Sequence, residues 1–284
     1  MKRTINITNI DKELDRYRAK LPDLAKIIDF YQHVFRIQES TLGKAGSALS
    51  LNPEDILKGL KENKFVLSDT TLPLDDPLFR ETAKELAKAF SEVSGQPFPV
   101  EDLLSLPQLK DVSDGEFVKD LLYNKADYIK KFAVKTSFNE ETIFLFLHSL
   151  LVPFFQRAAE DYEEIIQKAQ WSKGNCPFCG STPRYASFHS EDGKRLLYCP
   201  LCRTQWRFLR MACPFCYNSD HKKLRHFHIE EDKAHRADVC QECNRYIKTT
   251  NNRDLARETI PQVEDIVTLP LDILAAREGY SRES

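Results

Sequence analysis

All eight cysteines of this 284-residue chain lie between Cys176 and Cys243, and every one belongs to a Cys-X-X-Cys pair. The pairs are Cys176-Pro-Phe-Cys179, Cys199-Pro-Leu-Cys202, Cys213-Pro-Phe-Cys216 and Cys240-Gln-Glu-Cys243, separated by 19, 10 and 23 residues. A two-residue spacing lets both thiolates of a tight turn point at one ion, with the turn amides offsetting their charge. The residue after the second cysteine favours a left-handed backbone, which Gly180 adopts freely and Asn244 tolerates; Arg203 and Tyr217 do so less readily. Two such turns complete a tetrahedral four-thiolate site. The neighbour pairing gives Cys176, Cys179, Cys199 and Cys202 for one ion and Cys213, Cys216, Cys240 and Cys243 for a second. An interleaved pairing is an open alternative.

Four thiolates at tetrahedral spacing suit zinc and iron alike, so the spacing calls for two metal ions of either kind. A closed shell of thiolates leaves no position for a substrate, which argues against metal-assisted hydrolysis. A thioredoxin-type dithiol motif occurs once and at a helix start, unlike two tandem pairs.

The rest of the chain sets these turns in an α+β frame. Up to about Gln170 the pattern is helical and predicts five to seven helices. Leu24, Ile27, Ile28, Tyr31 and Phe35 recur at helical steps after Pro22. Asn52-Pro53-Glu54 reads as a cap, a helix runs from about Pro77 to Gly95, and shorter pieces follow near Leu103 and from Phe117 to Phe132. Asn139 caps a long segment that reaches Gln170, with a bend expected at Pro153. From Trp171 the composition turns to cysteine, histidine, arginine and turn residues. Arg184–His189 and Lys194–Tyr198 read as a hairpin about Glu191-Asp192-Gly193, and Thr204–Met211, Leu224–Ile229 and Arg245–Thr249 as further strands. The expected division is a helical domain over 1–171, tandem four-cysteine modules over 172–253 (172–211 and 212–253), and a C-terminal helical segment over 254–284.

Charge and composition narrow the function. Residues 173–253 carry 15 Lys/Arg against 8 Asp/Glu, a net +7 that is masked in the whole-chain charge of −2. Eight thiolates around two divalent ions reduce that excess to about +3, too little to favour a nucleic-acid binder, although Trp206, Tyr185 and the arginines Arg203, Arg207 and Arg210 keep that alternative alive. The three arginines are spaced for one edge of the first module. His189, His221, His226, His228 and His235 read as solvated neighbours of filled metal sites. Only nine glycines are present and none forms a phosphate-binding loop. The N-terminus has no apolar stretch of leader type, and the run Ile143–Phe155 is too short for a membrane span, so a buried core helix in a cytoplasmic protein is expected.

At GNCPFCGSTP (174–183), LYCPLCRTQWRFLRMACPFC (197–216), CQECNRYIKT (240–249) and VEDIVTLPLDILAAREGY (263–280) the chain closely resembles the formate dehydrogenase accessory protein family, FdhE. The resemblance implies a helical region followed by two tandem rubredoxin-like or zinc-ribbon-like four-cysteine modules, with all eight cysteines as ligands. It also implies a cytoplasmic, iron-associated maturation factor that acts on the catalytic subunit of formate dehydrogenase before export and is not itself a catalyst. The fourth turn departs from the others in lacking proline, which leaves its ligands in place. A homodimer is compatible with this reading, as is a rubredoxin-like redox protein as an alternative function. Asp272 and Tyr280 fall in the shared motif without a chemical role of their own.

Overall fold

The computed structural model describes residues 7–47, 49–123, 127–229, 232–255 and 257–282; residues 1–6, where the N-terminal stretch examined for a leader begins, lie outside them. Nine α-helices precede the first cysteine among the described residues, more than the five to seven expected. They are α1 (Ile7–Lys20), α2 (Ala25–Lys44), α3 (Pro53–Lys61), α4 (Asp76–Ser94), α5 (Val100–Leu104), α6 (Glu116–Tyr123), α7 (Asp127–Lys135), α8 (Glu140–Glu160) and α9 (Glu163–Lys168). Local chemistry sets the ends of several. The side chains of Asn52, Asp75 and Asn139 accept from the backbone amides of Glu54, Leu78 and Thr142, and α4 stops at Gly95, whose φ is 69°.

Helix α8 corrects one expectation. It runs unbroken through Pro153, and the break comes at Asp161–Tyr162 instead. Proline leaves the carbonyl four residues earlier without its helical donor. That carbonyl belongs to Ser149, and the buried amide of Gln38 on α2 donates to it at 2.8 Å. A tertiary hydrogen bond thus replaces the missing helical one. By length and apolar content α8 passes for a membrane span, yet 67% of its apolar window is buried against neighbours, with Ile143, Phe146, Leu147, Leu150 and Leu151 fully enclosed.

The cysteine-rich part folds as one six-stranded sheet: β1 (Tyr185–Phe188), β2 (Arg195–Tyr198), β3 (Gln205–Phe208), β4 (Leu224–Phe227), β5 (His235–Cys240) and β6 (Arg245–Asn251). Its spatial order is β3-β2-β1-β6-β5-β4. Each half is an antiparallel three-stranded meander, and the halves meet where β1 pairs in parallel with β6 from Tyr185–Lys248 to Phe188–Asn251. Strand β5 is the one that the sequence pattern did not reveal. Helices α10 (Asn252–Leu255), α11 (Pro261–Val267) and α12 (Leu269–Arg277) follow.

The main core does not stop at Trp171. It continues from the Phe79, Phe90, Phe98 and Phe146 cluster of the helices into Phe178 and Leu201 of the cysteine turns and Leu197, Trp206 and Ile247 of the sheet. A second core joins the chain's two ends, with Ile10 and Leu14 of α1 against Ile28 and Phe35 of α2 and Val263, Ile266 and Val267 of α11. Beside it the fully buried Glu264 carboxylate accepts from Tyr17 Oη at 2.7 Å and His235 Nε2 at 2.9 Å, and pairs with Arg257 at 2.7 Å.

Candidate metal centres

Two of the four cysteine turns are loops that lead toward the first strand of a meander, and two are hairpin connections. Cys176–Cys179 precedes β1, and Cys199–Cys202 joins β2 to β3, where Tyr198 faces Gln205. Cys213–Cys216 precedes β4, and Cys240–Cys243 joins β5 to β6, where Cys240 faces Arg245. The first three turns share a pattern: the amide of each leading cysteine donates to the carbonyl five residues on, Ser181, Thr204 and Asn218, at 2.8–3.0 Å. All four residues that follow a turn are left-handed, with φ of 75° at Gly180, 61° at Arg203, 62° at Tyr217 and 52° at Asn244. The conformation is therefore imposed even on Arg203 and Tyr217, which bear its steric cost.

The turns bring the sulfurs together as neighbours rather than interleaved. Cys176, Cys179, Cys199 and Cys202 form one cluster and Cys213, Cys216, Cys240 and Cys243 the other, each with all four sulfurs within 4.8 Å of one another. In the first, Cys176 lies 3.4 Å from Cys202, and Cys179 lies 3.4 Å from Cys199 and 3.7 Å from Cys202. In the second, the Cys213–Cys243 and Cys216–Cys240 separations are 3.7 and 3.6 Å. Thiolates on a tetrahedron with bonds of about 2.3 Å stand about 3.8 Å apart, so both clusters fit a metal ion.

The electrostatics agree with the geometry. Burial pushes the Cys176 and Cys202 thiols well up. Burial also disfavours charge on Cys179, yet hydrogen bonds from Cys176, Cys199, Cys202 and Ser181 hold it well down. Four sulfurs crowded in this way oppose becoming thiolates together unless a cation stands among them. Supporting contacts come from Thr204, whose hydroxyl lies 3.1 Å from Cys202 Sγ, and from Asn218 Nδ2, which donates to Cys240 Sγ at 3.6 Å.

The two clusters differ in surroundings. All four cysteines of the first are buried within the main core. The helical region clamps its leading turn: Val66 N donates to Pro177 O and Leu67 N to Phe178 O, both at 2.9 Å, while Phe178 stacks on Tyr162. Gly180 has no room for a side chain, because a β-carbon there would stand 2.7 Å from the Phe65 ring. In the second cluster Cys213 and Cys240 are buried, whereas Cys216 and Cys243 reach solvent.

Other expected features moved. His221, His226 and His228 are exposed, but His235 is enclosed between Asp232 and Glu264, at 2.7 and 2.9 Å. Arg203, Arg207 and Arg210 do not share an edge. Arg207 is exposed on β3, Arg203 turns over the Phe35 ring, and Arg210 folds back over Phe188. Sequence reasoning also gave no role to Lys248, which is 1% exposed and held by Asp265 at 3.0 Å and Asp272 at 2.7 Å. Asp272 also accepts from Tyr246 Oη at 2.6 Å and from Arg282. The signal for that cluster was the place of Tyr246 and Lys248 in the motif at 240–249 and of Asp265 and Asp272 in the motif at 263–280.

Comparison with known proteins places this arrangement. Residues 175–210 match the model for the FdhE central domain and residues 211–284 that for the FdhE C-terminal domain. The chain is 26% identical over 277 residues to the protein FdhE homolog of Aquifex aeolicus, covering 93% of this chain and 88% of that one. It is likewise 26% identical over 279 residues to protein FdhE of Escherichia coli O1:K1, covering 95% and 79%. Its fold matches the crystal structure of the FdhE protein from Pseudomonas aeruginosa with a TM-score of 0.63 at 22% identity, over 98% of this chain and 93% of that one. Two consecutive domain models, near full-length relatives and the same fold agree, so the chain is similar to the FdhE family along its length.

Proposed function

We propose that this protein is a metal-holding accessory factor for formate dehydrogenase, which binds the catalytic subunit in the cytoplasm before export and does not itself catalyse formate oxidation. The observation that carries this reading is the pair of four-cysteine clusters with tetrahedral spacing in a chain similar to the FdhE family. Cys176, Cys179, Cys199 and Cys202 would hold one ion, and Cys213, Cys216, Cys240 and Cys243 the other. Four protein thiolates complete a tetrahedral shell, so the expected contribution is a fixed shape for recognition rather than activation of a bound substrate. Reduced, unbridged cysteines suit a reducing compartment.

The turn Cys240–Cys243 also ties β5 to β6, so removing its thiolates should loosen the outer half of the sheet. The Cys240→Ala/Cys243→Ala protein is expected to carry one metal equivalent instead of two and to lose most of its co-purification with the catalytic subunit. Undiminished capture together with undiminished formate dehydrogenase activity in cells would sink the proposal. A second reading, one-electron chemistry at iron, is favoured by the access of solvent to Cys216 and Cys243. Anaerobically purified protein that turns red on oxidation supports it, and colourless protein containing zinc removes it.

A further inference from the structure

A cleft of about 790 Å³ opens between α2 and α8 on one side and the Cys199–Arg203 turn and helices α11 and α12 on the other. That volume lies within the usual range for sites that enclose a ligand of many atoms. Its walls are apolar along Leu145 and Val152 of α8 and Ile266 and Leu269 opposite. Its polar groups fall into two sets. Asp265 and Asp272 are already engaged, since Lys248 and Arg282 both pair with them. The second set is unengaged: the side chains of Tyr31, His148, Arg184, Arg203 and Gln262 all line the cleft, and none hydrogen-bonds or ion-pairs with a described residue.

These donors face the cleft without a protein acceptor among the described residues, so they are free to meet one on a ligand. The Arg203 guanidinium gains a partial partner in the Phe35 ring, which it covers. Arg184 has no such compensation. The carboxylate it senses, Asp265, is held by two other cations. What the cleft lacks is an acceptor with negative charge. Two guanidinium forks suit a carboxylate, and the apolar walls suit the side chains that flank one in a peptide.

We propose that this cleft binds a peptide segment of a partner protein, with an Asp or Glu carboxylate held by Arg184 and Arg203 and flanking apolar side chains lying along α8 and α11. This deepens the proposed function and rests on it only for whose segment is bound. A random 12-residue peptide library selected on the full, metal-loaded chain and counter-screened on the Arg184→Glu protein tests it. Arg184 is exposed and its side chain makes no hydrogen bond or ion pair with a described residue, so the variant should keep its metal content. Recovered peptides should carry an acidic residue beside apolar ones. Their affinity should fall about tenfold or more on Arg184→Glu, or when Gln replaces the acid, and recover in part in Arg184→Lys. A selection that yields no acidic, Arg184-dependent binder overturns the proposal, and so does inorganic phosphate that competes as well as the peptide, which would mark a simple anion site. Purified formate dehydrogenase catalytic subunit that displaces the peptide unites the two readings. A subunit that fails to compete, while the peptide still needs Arg184, leaves the cleft assigned and removes this client from it.

Discussion

His235 and His148 show how far one residue type can diverge when the fold chooses its neighbours. Burial alone would lower both imidazoles. At His148 burial wins, reinforced by Arg184 and Arg203, and the ring is pushed down to about 3. At His235 burial is outweighed by the hydrogen bonds to Asp232 and Glu264, which push it up to about 9. A group whose pKa rises on folding adds stability that is complete below its unfolded value of about 6.5. That stability drains away as the pH climbs through the folded value. The melting temperature of the metal-loaded protein is therefore expected to fall between pH 6.5 and pH 9, and His235→Gln should flatten the fall. Equal slopes in the two proteins would refute this role. None of it was legible in the sequence, where His235 reads as a solvated neighbour of a filled metal site. Its acceptor Glu264 lies 29 residues away, and only the docking of α11 against the sheet joins them.

At the scale of the elements, the four turns are nearly identical while their settings are not. Spacing within each turn is a local property, and so is the left-handed residue after it, which is why both could be read directly from the chain. Burial of a turn is not local. The first cluster lies where Val66 and Leu67 clamp the Pro177–Phe178 backbone, whereas the second presents Cys216 and Cys243 to solvent. Access for a chelator follows exposure, and opening the first cluster requires opening the core around it. Chelation should therefore be biphasic, with one metal equivalent leaving fast and the other slowly. Cys216→Ser should abolish the fast phase and leave about one slow equivalent. A single phase for both equivalents would contradict the assignment. The same distinction explains α8: the helix and its proline are plain in the sequence, but the Gln38 amide that satisfies the Ser149 carbonyl lies 111 residues from it.

For the whole molecule, the decisive feature is that the ends close on each other. Helix α1 reaches the C-terminal segment through Glu13–Arg257 at 2.9 Å and Tyr17–Glu264 at 2.7 Å, around a carboxylate with no solvent exposure. Leaving Arg257 and His235 without that charge while keeping the shape should be costly. Glu264→Gln is expected to lower unfolding stability by about 3–5 kcal/mol, read by denaturant unfolding of the metal-loaded protein. Undiminished stability would show that the node is dispensable.

The sequence by itself determined the spacing within each cysteine turn, the left-handed turns, the helical character of the first 170 residues and most of the strands, because each depends on residues only a few positions apart. Tertiary structure alone decided that the two meanders join into one sheet through β1 and β6, and that one cluster is buried while the other meets solvent. It also decided that Arg184, Arg203 and Tyr31 face a common cleft. Those outcomes depend on which surfaces pack together across tens to hundreds of residues, and hydrophobic spacing along a chain carries no record of its distant partner.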